Sequence, residues 1–117
     1  MDSALALLEA VDRAVGQSQP VAATYWQPPE GMPDDRALAG LRRLLGRVAA
    51  VHVFSWWPGN ERRRLAERAG LWRAAFALLA HHGAPVDALL EFVPDDDPEL
   101  VAAEARTLSE ILERAGA

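Results

Sequence analysis

Leu65, Ala69, Trp72, Phe76 and Leu79 recur at steps of four, three, four and three, and Gly83 closes the run. Apolar residues at that spacing share one face of an α-helix, and a glycine just beyond is a common helix stop. Two other runs read the same way. Leu38, Leu41, Leu45, Val48 and His52 follow the acidic opening Pro33, Asp34, Asp35; Val101, Ala105, Leu108, Leu112 and Ala115 follow Asp95, Asp96, Asp97 and Pro98. Carboxylates suit the unpaired, electropositive amides at a helix start, so both openings favour helices.

The intervening segments complete this reading. Ser3 caps a first helix with Leu5, Leu8, Val11 and Val15 on one stripe and Gly16 as its stop. Asn60 caps the third helix, and Pro85 opens a short fourth from Val86 to Phe92. Val51, Val53 and Phe54 can also be drawn as a short extended piece. Residues 17–33 hold Pro20, Pro28, Pro29 and Pro33 and form a loop around Tyr25 and Trp26. Alanine, leucine, arginine and glutamate dominate the remainder, so the expected fold is all-α. Residues 1–117 should pack as a single domain, a compact bundle of about five helices, with the third helix longest and most buried. Leu78, Leu79, Gly83 and Ala84 recur as Ile111, Leu112, Gly116 and Ala117, an echo that two glycine-terminated helices explain without a repeat family.

Half the residues are apolar and a quarter charged, a balance of globular proteins rather than of disordered or membrane chains. With no cysteine, disulfides, thiolate metal sites and thiol nucleophiles are excluded. The first residues lack the basic region and apolar run of a secretory signal, and no stretch reaches the roughly 20 apolar residues of a membrane span. A cytoplasmic protein without a membrane partner is expected.

Candidates for chemistry are few. His52, His81 and His82 are the only imidazoles. Neighbouring histidines on a helix point about 100° apart, and no metal-binding spacing accompanies them. His52 and Ser55 could share a helical face, yet no glycine-flanked elbow or orienting acid completes a nucleophile site. The sequence therefore assigns no catalytic residue, no metal and no cofactor, and the chain reads as a non-enzyme.

The charge layout is the unusual feature. All twelve cations are arginines, and nine lie between Arg36 and Arg73. That segment carries +7, against −5 before it and −7 after it, which together give the net −5. Arg42, Arg43 and Arg47 fall near the negative end of the second helix, where its dipole favours them. Arg62, Arg63 and Arg64, placed in the first turn of a helix capped by Asn60, would crowd an electropositive terminus and call for an anion. Either the Asp95, Asp96, Asp97 run or the last helix supplies it internally, or an acidic surface of a partner protein does.

The external reading makes the chain a protein–protein interaction module, an adaptor, an inhibitor of the immunity type or an accessory subunit. Arg62, Arg63 and Arg64 would bind the partner beside Trp56 and Trp57, with Tyr25 and Trp26 as further contacts, an arginine and tryptophan composition typical of hot spots. Reversing the three arginines to glutamate should then abolish capture and leave helix content intact. Self-association, the acidic last helix of one copy meeting the basic helix of another, is a special case. A tryptophan-lined small-molecule pocket between helices is an alternative. Nucleic acid is a weaker one, because the linker from Ser55 to Asn60 is too long for a helix-turn-helix and the chain is acidic.

Overall fold

The computed structural model describes residues 3–14, 23–29, 31–55, 61–83 and 85–116. Among these described residues four α-helices alternate with three strands: α1 (Ser3–Ala14), β1 (Thr24–Trp26), α2 (Asp34–Leu44), β2 (Val48–Val53), α3 (Ala69–His82), β3 (Asp87–Leu90) and α4 (Pro98–Arg114). The strands form one parallel sheet in the order β1-β2-β3. The fold is therefore mixed α/β, and the expected all-α bundle of five helices is overturned.

Three local misreadings produced that bundle. The stripe through Leu45, Val48 and His52 fits helical spacing, but the helix ends at Leu44, tightens into a 3-10 turn over Leu45–Arg47 and continues as β2. Valines at 48, 51 and 53 are stiff at χ1 and favour the pleated strand. A central parallel strand is apolar on both faces, so its sequence lacks the alternation that would betray it. Asp87–Leu90, expected as helix after Pro85, instead pairs with β2 through Ala50↔Asp87, Val51↔Ala88, His52↔Leu89 and Val53↔Leu90. The unpaired backbone groups along that side of β2 outweigh the weak helical preference of four residues. Within the proline-rich loop, Thr24, Tyr25 and Trp26 pair along the other side of β2, with one irregularity between Thr24 and Tyr25.

The helices read from the other two long periodic runs are found. Leu65, Trp72, Phe76 and Leu79 are buried on one side of the third helical segment, and Gly83 ends α3 in the left-handed conformation with its N–H bonded to the Leu79 carbonyl. Gly116 has positive φ as well, which accounts for the echo between the two helix ends. Asp97 caps α4, its carboxylate accepting from the Glu99 amide at 2.9 Å. At 17 residues α4, not the 14-residue α3, is the longest helix among the described residues. Its buried face runs through Glu104, Leu108 and Ile111, while Val101 and Ala105 of the expected seam are exposed. A carboxylate drawn inward sets that rotation.

Right-handed crossovers, nearly universal in such β-α-β units, place α2 and α3 on the same face of the sheet. Burial agrees. Trp26, Val51 and Val53 on one face join Leu41 and Leu44 of α2, Trp72 and Phe76 of α3, and Leu108 and Ile111 of α4 in the core. The Trp26 and Trp72 rings meet edge to face at 5.8 Å, and the Trp72 indole N–H donates to the Phe54 carbonyl at 2.8 Å. Leu8 of α1 reaches the same core, and Asp12 holds Arg47 at 2.6 Å. Among the described residues no helix is long and apolar enough to cross a membrane.

Candidate functional site

Tyr25, Ala50, His52, Asp87 and Leu89 fall on the other face of the sheet, because strand side chains alternate and the register sets Tyr25 beside Ala50 and Leu89 beside His52. This face is open: Tyr25 is 63% exposed and Leu89 46%. Ala50, on the central strand between them, is only 4% exposed and lies outside the main core. The Tyr25 and His52 rings sit 5.0 Å apart. His52 Nδ1 lies 3.2 Å from both Gln27 Oε1 and Glu91 Oε1, so an N–H there donates to oxygens that follow β1 and β3. A continuous strip of phenol, imidazole and leucine thus crosses the sheet, bordered by the Gln27 amide and the Asp87 and Glu91 carboxylates.

Tyr25 and Trp26 were expected to act together, and the strand separates them. Tyr25 points outward, whereas Trp26 is 6% exposed in the core. Trp72 is fully buried beside it, so these two tryptophans are packing residues. Trp56 and Trp57 lie outside the described residues, as does the Asn60 cap. His52 and Ser55 do not share a helical face; one is in β2 and the other just follows it. Since β2 separates α2 from α3, the helix-turn-helix order is also absent there.

The arginine corner differs from its sequence reading in its backbone. Arg62, Arg63 and Arg64 precede the helix: a 3-10 turn begins at Leu65 and α3 only at Ala69. Arg64 is extended, at φ −62° and ψ 144°. Each guanidinium also has a carboxylate of the same chain. Arg62 pairs with Asp96, Arg63 lies 2.5 Å from Glu61 and 3.7 Å from Glu67, and Arg64 Nε donates to Glu104 Oε1 at 2.6 Å. The other Glu104 oxygen accepts from the buried Leu65 amide at 2.6 Å, and Glu67 accepts from the Arg64 amide at 3.1 Å. Two glutamates therefore neutralise the opening of the turn.

Phe92, which the sequence did not single out, is the aromatic partner of this corner. The Arg62 guanidinium lies 5.2 Å from the centre of its ring, and that ring meets Phe54 edge to face at 5.6 Å. Phe54 in turn meets Trp72, so an aromatic chain links the corner to the core. Phe92, Asp95 and Asp96 all have positive φ, a conformation costing about 1 kcal/mol or more per residue outside glycine. The bends it allows bring Asp96 to Arg62. The sequence signal for Glu104 was available: it is the one carboxylate on the line Leu100, Glu104, Leu108, Ile111.

No protein-family model matches the chain, and no curated protein or solved structure matches it either.

Proposed function

We propose that the chain is a protein–protein interaction module, of the adaptor, inhibitor or accessory-subunit kind, that receives its partner on the open face of the sheet. The supporting observation is the exposure of Tyr25 and Leu89 on a parallel sheet, an architecture that ordinarily buries both faces. Exposed apolar surface bordered by polar groups marks contact sites. Tyrosine supplies contact area at low conformational cost. The border groups Asp87, Glu91 and Gln27 accept hydrogen bonds, so the matching surface is apolar with lysine or arginine at its edge. The reading is of a cytoplasmic binding protein rather than an enzyme, a setting that a chain without cysteine permits.

Leu89→Asp and Tyr25→Ser change exposed side chains and should leave the circular dichroism spectrum intact. Affinity capture from native lysate, at low and high salt, should retain a protein on the wild type that Leu89→Asp loses and Leu7→Asp on α1 keeps. Equal capture by wild type and Leu89→Asp, or capture of nothing, would defeat the reading. A wild type that sediments as a dimer and a Leu89→Asp variant that sediments as a monomer would assign the face to a second copy instead.

A further inference from the structure

We infer that the outer face of α2 is a second, separate binding surface, whose occupant is an acidic helix of another protein. Five of the nine arginines between Arg36 and Arg73 are held by the chain itself: Arg47 by Asp12, Arg62 by Asp96, Arg63 by Glu61, Arg64 by Glu104 and Arg68 by Asp34. Arg36, Arg42, Arg43 and Arg73 are exposed and form no ion pair among the described residues. Helix polarity accounts for Arg42 and Arg43, which lie in the last turn of α2. It does not account for Arg36. That residue is the third of the helix, in the electropositive first turn where a cation is disfavoured; of the two aspartates of that turn, Asp34 is directed to Arg68 at 3.3 Å, and the adjacent Asp35 forms no ion pair with Arg36. The misplaced positive charge that the sequence located at Arg62–Arg64 is found at Arg36.

A hollow of about 400 Å³ lies between Arg36 and Arg43, with Pro29, Met32, Ala39 and Gly40 among its walls. Arg36 and Arg43 are seven residues apart, about 10.5 Å along the axis, and nearly eclipse each other on the wheel. Between them the helix offers Ala39 and Gly40, and a Cβ added at Gly40 would meet nothing within 4 Å. Small residues there let another backbone approach closely, the methionine and proline supply apolar contact, and the flanking guanidiniums form bidentate pairs with carboxylates. The chemistry selects a helix that carries carboxylates at a seven-residue spacing over small residues. The chain's own acidic helix fits poorly: on α4 the positions spaced by seven are Glu99, Arg106 and Glu113, which would set an arginine against Arg36 or Arg43.

The probe is a fluorescein-labelled, alanine-based helical peptide with glutamate at every seventh position, titrated by anisotropy at two ionic strengths against a scrambled peptide of equal composition and a duplex oligonucleotide. Wild type should bind the spaced peptide more tightly than the scrambled one or the duplex, and Arg36→Ser/Arg43→Ser should weaken it about tenfold or more with an unchanged melting temperature. Arg73→Ser and the sheet-face variant Leu89→Asp should bind as wild type, which separates this surface from the one proposed above. Equal affinity for spaced and scrambled peptides, retention of binding by the double variant, or preference for the duplex would each overturn the proposal. So would self-association of the wild type that the double variant abolishes.

Discussion

The arginines before α3 and those on α2 look alike in sequence and behave oppositely in the structure. At the corner, carboxylates from 34 and 40 residues away, Asp96 and Glu104, close on Arg62 and Arg64. On α2, Arg36, Arg42 and Arg43 project without an ion pair among the described residues. A dense cluster of cations is therefore no guide to which cations are available for binding. Availability is decided by what the tertiary fold delivers beside them, and the cluster that seemed to need a partner is the satisfied one.

Substitutions that treat the two groups alike should break this contrast most sharply. Reversing Arg62, Arg63 and Arg64 to glutamate sets a new carboxylate against the buried Glu104 and should cost about 3–5 kcal/mol of stability in urea titration. That differs from the outcome expected when the three were placed in an exposed helix turn; a fully stable triple variant would restore the earlier reading. Glu104→Ala leaves the Leu65 amide buried without an acceptor and should cost about 2–3 kcal/mol, measured the same way. Arg62→Ala removes a half-exposed ion pair and a contact with Phe92, and about 0.5–1 kcal/mol is expected. Arg36→Glu should do the reverse and raise stability by about 0.3–0.5 kcal/mol, because a carboxylate suits the first turn of α2. The same change should abolish binding of the acidic peptide. A loss of stability there would show that Arg36 has an internal role.

What could be read from the sequence depended on segment length. The runs Leu65 to Leu79 and Val101 to Ala115 repeat often enough for period to identify a helix, whereas the equally long run Leu38 to His52 keeps helical spacing across the junction of α2 and β2 and so conceals the strand. The strands are three, six and four residues long, and each hides differently. Thr24–Trp26 is too short to alternate, Val48–Val53 carries mostly valine and alanine on both faces and so shows no polar alternation, and Asp87–Leu90 is spelled largely in alanine and leucine, which favour helices when alone. The drawing of Val51, Val53 and Phe54 as extended was the correct alternative for the first two, which lie in β2. Site legibility followed the same rule. Tyr25 was noticed as an aromatic in a loop, but only the strand register shows that it and Trp26 face opposite ways and that Leu89 and His52 join it. Asp96 and Glu104 lay too far along the chain for their partners to be read from spacing.

Strand order that follows chain order has a consequence for synthesis. Each β-α-β step can close on the one before it as the polypeptide leaves the ribosome, without waiting for distant segments. The Glu104 clasp is the exception, since its carboxylate must reach back 39 residues to the Leu65 amide. A nascent chain that has completed its sheet but not yet released α4 would hold Arg63 through Glu61 and Glu67 yet leave the Arg64 guanidinium and the Leu65 amide without their Glu104 carboxylate, so this one contact waits for α4.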